Sequence, residues 1–169
     1  MKISPSVQDV LNKQINAEFW SAYMYLAMAN WCEEQGLRGF ANWLRVQYHE
    51  ENSHALKFVN YIHERQGEVK LQPIEAVPLT WKSVLEVMEK TYEHECKVTE
   101  MIYNCVNVAE AEKDRATVNL LQWYVDEQVE EEANADEIVT NLRFIGESKG
   151  ALMQYDHVLK GRSFKDETK

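Results

Sequence analysis

Proline and glycine are scarce in this chain of 169 residues, numbering three and six. They fall at a few places only, Pro5, Gly36, Gly39, Gly67, Pro73, Pro78, Gly146, Gly150 and Gly161. The stretches between them are long, and nothing in them alternates with the period of a strand. Cysteine is scarce too. Cys32, Cys96 and Cys105 are odd in number and lack paired metal-type spacing, which reads as free thiols packed like small hydrophobes. No apolar run approaches the roughly 20 residues of a membrane span, and Met1-Lys2-Ile3-Ser4-Pro5 lacks the apolar core of a signal peptide. A cytoplasmic protein without membrane contact is therefore expected. Basic residues are outnumbered, 18 Lys and Arg against 28 Asp and Glu, for a formal net charge of -10. That excess disfavours nucleic acid and anionic lipid, and either attracts cations or serves solubility.

What is present is enough apolar material, 45% of residues, for one domain spanning residues 1–169. Ser4-Pro5 reads as an N-cap and first helical position, and the helical period holds to about Glu34. A second helix runs from about Arg38 to Arg65 and stops at Gly67. Pro73 and Pro78 mark an extended connection ending at Thr80, a cap candidate for a third helix that continues to about Ala109. After the turn Glu112-Lys113-Asp114 a fourth helix lasts to Ile145. Gly146 and Gly150 then set off a short fifth, Ala151 to Leu159. Two connections are tight, so the helices they join are antiparallel. A helix of 28 residues is roughly 42 Å long, and the segment from Gly67 to Thr80 could stretch to roughly 46 Å at about 3.3 Å per residue. It can therefore return to the starting end. The expected fold class is all-α, a four-helix bundle with one long crossover between the second and third helices.

Each long helix carries a core-facing stripe broken near its middle by a group that should not be buried alone. In the first the stripe is Leu11, Ile15, Glu18, Ala22, Tyr25, Ala29. In the second it is Phe40, Leu44, Gln47, Glu51, His54, Phe58, Ile62, in the third Val84, Met88, Glu95, Val98, Ile102, and in the fourth Tyr124, Gln128, Glu131, Ala135, Ile138, Leu142. Burying one unpaired carboxylate costs several kcal/mol, and four facing one another repel as well. The stripes supply no Lys or Arg, so a plain structural bundle fails. Something cationic must sit among the acids. A further stripe on the first helix, Trp20, Met24, Ala27 and Trp31, lies roughly opposite the first and needs a second partner. A subunit interface over the first and second helices is expected to supply it, the alternative being packing under the long connection.

Glu51 and His54 are three apart and project from one helix face, where a carboxylate and an imidazole can hold one metal ion. With Glu18, Glu95 and Glu131 they form an oxygen-rich set suited to iron(II) or manganese. The charge of four carboxylates is cancelled by two divalent cations. Glu51 is the natural bridge: His54 and Glu18 complete one position, leaving Glu95 and Glu131, with Gln128 one turn away, for the other. The second position lacks an imidazole and should hold its ion less firmly. Tyr25 lies two turns after Glu18 and is either an electron donor or hydrogen-bond partner of the site or a core tyrosine. Trp123 is a weaker candidate. Glu50, Glu127 and Glu130 flank the metal set and either relay ions to an interior surface or form a solvated acidic face.

The chain resembles the ferritins, most closely the bacterial non-haem kind, in Asn16-Ala17-Glu18 with Tyr25, in Glu50-Glu51-Asn52-Ser53-His54, in Glu95, and in the run from Leu121 to Glu131. The resemblance covers essentially the whole chain. It implies ferroxidase ligands at Glu18, Glu51, His54, Glu95 and Glu131, with Gln128 and Tyr25 beside them, and an extra iron position at Glu50, Glu127 and Glu130 with Glu131 shared. It also implies a homo-24-mer, a hollow shell whose four-fold axes are lined by the short fifth helix. Two iron(II) ions per subunit would be oxidised by dioxygen or hydrogen peroxide, and the product stored as hydrated ferric oxide. Bacterioferritins differ in a second Glu-x-x-His on the fourth helix and a haem-ligating methionine on the second. Here the fourth helix reads Gln128-x-x-Glu131 and Asn52 stands at the methionine position, so no haem is expected. The competing enzyme reading is a peroxidase or catalase that keeps its two metals and accumulates no mineral.

Overall fold

The computed structural model describes residues 2–166 and 168. Among them are five α-helices and no strand: α1 Pro5–Glu34, α2 Arg38–Glu64, α3 Val84–Ala111, α4 Arg115–Ile145 and α5 Lys149–Leu159. Serine or aspartate starts four of them. Ser4 Oγ accepts from Val7 N at 3.4 Å with Pro5 in the first turn, Asp114 Oδ1 accepts from Thr117 N at 3.2 Å, and Ser148 Oγ accepts from Ala151 N at 3.4 Å.

The start of α3 differs from the sequence expectation. Its N-cap is Ser83, which accepts from Glu86 N at 3.1 Å, while Glu86 Oε2 reaches back to accept from Lys82 N at 2.6 Å. Thr80 stays in the extended connection because this reciprocal Ser-x-x-Glu cap, close to a capping box, satisfies two amides where a lone threonine satisfies one. At the end of α2 the residue with positive φ is Gln66, not Gly67. Gly67 is needed for space: a Cβ there would stand 2.7 Å from Ile3 Cγ2 and 2.9 Å from Ile62 Cγ2. The remaining boundaries shift by one or two residues, within the fraying of helix ends.

Helix α1 lies against α2 and α3, α3 against α4, and α5 against α2 and α4. The apolar interior comes in two pieces. One joins Met28, Phe40, Leu44, Met88 and Leu142; the other joins Leu11, Ile15, Phe58, Ile62, Ile102, Leu121 and Tyr124. Because the N-terminal ends of both α2 and α3 fall in the first piece, these helices run parallel, as the long crossover requires. The acidic residues occupy the band between the two pieces.

The crossover runs along α1. Asn12 donates to Glu68 O and accepts from Lys70 N, at 3.0 and 2.6 Å, and Gln8 Oε1 accepts from Glu68 N at 2.8 Å. Further along, the Asn16 amide faces the Gln72 and Pro73 carbonyls at 3.3 Å, and Trp81 meets Trp31 edge-on at 6.0 Å. Trp20 lies 5.3 Å from His94 of α3, and Met24 is buried. The second stripe of α1 thus meets α3 and the crossover of its own chain, and Trp20, Ala27 and Trp31 stay only partly buried there.

Helix α2 begins without a side-chain cap of its own, at Leu37. Asp156, buried on α5, serves instead: its Oδ1 accepts from Gly39 N at 2.7 Å and Phe40 N at 3.0 Å. A Cβ at Gly39 would stand 1.6 Å from Asp156 O, so only glycine admits this approach. Asp156→Ala is expected to lower stability by about 2 kcal/mol, because two buried amides lose a charged acceptor. Thermal unfolding monitored by circular dichroism checks this, with Gln154→Ala on the exposed side of α5 as the control that changes little.

Candidate metal centre

Four helices bring seven polar side chains into the band between the apolar pieces. Glu18, Gln47, Glu51, His54, Glu95, Gln128 and Glu131 are each at most 4% exposed. Among the described residues one group could hold a metal ion by proximity alone: Glu18, Glu51 and His54 offer ligand atoms that all lie within 4.8 Å of one another. The i, i+3 step on α2 places Glu51 and His54 on one face, with His54 Nδ1 at 4.0 Å from Glu51 Oε2. That is too long for a hydrogen bond. Glu51 Oε2 is buried with no hydrogen-bond partner, a rare state for a carboxylate oxygen, and it fits a site shaped for a cation.

The other two carboxylates are held by neutral donors. Tyr25 donates its hydroxyl to Glu95 Oε1. Gln128 Nε2 lies 3.2 Å from both Glu95 Oε2 and the Glu95 carbonyl, and Gln47 Nε2 donates to Glu131 Oε2 at 2.8 Å. Glu18 receives Gln14 Nε2 at 2.9 Å. Tyr25 is therefore joined to the acidic set rather than being a core tyrosine satisfied elsewhere.

Burial drives the electrostatics. Desolvation first, and repulsion by neighbouring carboxylates second, push Glu51 and Glu131 well above the ordinary carboxylate range, with Glu95 the strongest single repelling neighbour of both. Burial raises Glu18 as well, opposed by the hydrogen bonds from Glu51 and Gln14, and raises Glu95 to about 7 against the bonds from Tyr25 and Gln128. His54 is pushed down to about 4 by burial and, to a lesser degree, by Lys57, so it presents a neutral imidazole, the form that binds metal. Its backbone carbonyl accepts from Tyr124 at 2.8 Å, and the Trp123 ring meets its imidazole edge-on at 5.4 Å.

The three flanking acids do not converge. Glu127 Oε1 lies 3.9 Å from His54 Nε2, Glu130 is exposed, and Glu50 is engaged by Arg162 at 2.6 Å. Sequence reasoning missed Gln14 and gave Gln47 no role. Both sit one turn before a carboxylate, and that spacing was the available signal. Arg162 carried no signal at all.

The family profile of the ferritin-like domain matches residues 8–145. The chain belongs to the ferritin family. A bacterial non-heme ferritin of Bacteroides fragilis is 42% identical over 146 residues, which is 86% of this chain and 92% of the relative. That of Campylobacter jejuni is 41% identical over 158 residues, 94% of this chain and 95% of the relative. Among solved structures, an open-pore ferritin from the hyperthermophilic archaeon Archaeoglobus fulgidus superposes with a TM-score of 0.94 at 52% identity, covering 95% of this chain and 98% of that one. An engineered closed form of the Archaeoglobus fulgidus ferritin gives 0.96 at 51%, covering 97% and 100%. Family and fold together support iron storage by this ferritin. Among the described residues no helix is long and apolar enough to cross a membrane.

The raised carboxylates give the metal-free ferritin a distinctive pH dependence. A carboxyl with a higher pKa folded than unfolded supports folding below its unfolded value of about 4.3, and that support is lost as pH rises through the folded value. Glu95 loses it near 7, and Glu51 and Glu131 carry the loss to higher pH. His54 and His94, both lowered to about 4, act oppositely: their support is complete above about 6.5 and lost as pH falls through 4. Between pH 6.5 and 8.5 these imidazoles contribute no slope, so the melting temperature of the metal-free protein should fall with pH. Added divalent metal should flatten the curve. A metal-free protein with constant stability over that interval would contradict the assigned burial energetics.

Proposed function

We propose that this ferritin, acting as one domain per chain, oxidises iron(II) at a dinuclear site within each subunit and stores the product as hydrated ferric oxide inside a cytoplasmic shell of 24 copies. The observation that carries this reading is the orphaned, buried Glu51 oxygen between Glu18 and His54, facing two more carboxylates. Iron is the substrate. Glu18 and His54 bind one ion, Glu95 and Glu131 the other, and Glu51 bridges; Gln128 is a weak oxygen donor to the second. Tyr25, hydrogen-bonded to Glu95, stands beside the reacting centre as a proton or electron partner. Glu50, Glu127 and Glu130, which stand apart by Arg162, by His54 and in solvent, would have to close on an ion to make a third position on the way out.

The chain's own groups perform three tasks. Neutral His54 and the four carboxylates place two ions side by side, which converts an encounter of two cations and an oxidant into a reaction at fixed positions. The carboxyls that hold protons in the metal-free state release them when iron binds, so positive charge is exchanged for positive charge and the core stays near neutral. The amides of Gln47 and Gln128 that hold Glu131 and Glu95 are uncharged. They can give way to an ion without leaving a buried charge behind.

The oxidant is dioxygen or hydrogen peroxide. Aerobic loading followed by size-resolved iron analysis should find iron far in excess of two ions per chain, travelling with the shell. A plateau at two would mark a resident cofactor, as in a peroxidase. Glu51→Ala and His54→Ala should each slow iron oxidation by roughly 100-fold, the scale of removing one organising group from a metal site. The melting temperature of Glu51→Ala should not fall, because loss of this carboxyl removes a desolvated group and its repulsion of Glu95 and Glu18, whereas His54→Ala removes a neutral imidazole and is read on the oxidation rate alone. Stopped-flow absorbance of ferric product reads the rate, and unchanged rates in both variants would reject the site.

A further inference from the structure

Two aromatic side chains stand beside the acidic band, and their surroundings differ. Tyr25 is buried on α1 and donates its hydroxyl to Glu95, a carboxylate able to take its proton. Trp123 is partly buried on α4 and meets the His54 imidazole edge-on at 5.4 Å and the Tyr124 ring edge-on at 4.8 Å. Tyr124 in turn stacks on Phe58 at 3.9 Å, so the indole is seated against packed rings. Over its face lies a cation: Lys57 Nζ is 4.2 Å from the ring centroid.

Lys57 is held there from two sides. His54 and Lys57 are three apart, so both leave α2 on one face. Beyond α5 the chain turns back along α2, where Asn42 Nδ2 donates to the carbonyls of Leu159 and Arg162 at 3.2 and 2.9 Å, and the Phe164 ring lies 5.5 Å from His49. Further along this tail, Thr168 O accepts from Lys57 Nζ at 3.1 Å. The ammonium is felt at the centre, since Lys57 adds to burial in lowering His54.

We propose that Lys57 protects Trp123 from one-electron oxidation during iron oxidation, so that an electron demanded of the protein is given by Tyr25 instead. This rests on the dinuclear site proposed above. Hydrogen peroxide takes up two electrons to become two hydroxide ions. When one iron(II) supplies the first and becomes iron(III), the second comes from a neighbouring side chain. From Tyr25 it leaves together with a proton, which passes along the bond to Glu95 and converts one hydroxide to water, and a neutral phenoxyl radical remains. From Trp123 the electron leaves behind an indole radical cation, with an ammonium 4.2 Å from its centre. The cation–π attraction of the resting pair then becomes repulsion between like charges. Lys57 touches neither iron nor oxidant. It is a positioning residue that acts through Trp123 and selects which aromatic group is spent.

The test loads the full-length protein with iron(II) without air and then adds hydrogen peroxide. Peptide mass spectrometry reads oxygen added to the Trp123 indole, and freeze-quench electron paramagnetic resonance reads the radical. Wild type is compared with Lys57→Met, which keeps an unbranched stem without charge, with Lys57→Arg, which keeps the charge, and with the double variant Lys57→Met/Trp123→Phe. Wild type should show a phenoxyl signal and little oxygenated Trp123. Lys57→Met should raise the oxygenated fraction by at least about tenfold and add an indole radical signal that the double variant lacks, while Lys57→Arg stays near wild type. An unchanged Trp123 yield in Lys57→Met overturns the proposal, and so does an equal rise in Lys57→Arg. A rise in Lys57→Met that appears equally with peroxide and no iron also overturns it, because it marks simple exposure of the ring. Wild type that oxidises no iron(II) would instead remove the dinuclear site, and the proposal with it.

Discussion

Four carboxylates pressed into the middle of an apolar bundle are the constraint that organises this molecule. Their desolvation and mutual repulsion split the interior into two apolar pieces, one at each end of the helices. Each piece must hold the bundle together without help from the middle. This explains the length of the helices: a band of acids one or two turns deep leaves room for a packed core on either side only if every helix extends well beyond it. It also explains the need for binding to complete the structure, since the carboxyls are stable there as protonated groups or around a cation, and the first state is lost as pH rises.

Much of this was legible in the sequence because it follows from periodicity. The stripes containing Glu18, Glu51, Glu95 and Glu131 point inward by their 3.6-residue register, and burial at those positions follows from the apolar neighbours one turn away. Helix order and the long crossover follow from connection lengths. The start of α3 was misplaced because threonine and serine are both good caps, and the choice between them lies with Glu86, three residues beyond the serine. The outer stripe of α1 was legible only in part. An unpartnered apolar face states that something covers it and does not state what. The carbonyls offered by the crossover to Asn12 and Asn16 have no signature in a sequence.

Contacts from α5 and the tail were invisible for the same reason. Asp156 caps a helix start 117 residues away, and Arg162 finds Glu50 across 112. Neither belongs to a local pattern. Yet both attach to features that could be flagged: Leu37 begins a long helix without a polar side chain, and Gly39 lies inside that helix's first turn, where alanine would be the better helix former. A helix start that lacks a cap and contains glycine invites a cap from another element. Asp156 is that cap, and it brings α5 close enough for the tail to follow α2.

The glutamines decide how the centre can be used. Gln14, Gln47 and Gln128 each donate to a carboxylate that burial has made unfavourable as an anion. Arginine or lysine in their place would neutralise the acids permanently and leave no electrostatic demand for a metal. A leucine would leave the carboxylate oxygens without donors, at a cost of one to several kcal/mol for each buried group. An amide stands between: it satisfies an oxygen in the metal-free state and carries no charge to repel an incoming ion. The half of the centre with Glu95 and Glu131 relies on amides and a phenol, while the half with Glu18, Glu51 and His54 has converging ligand atoms and an orphaned oxygen. Under the function proposed above, one half would attract an ion and the other would let one pass, an asymmetry that suits a store in which each accumulated ion travels through a site able to hold only a few.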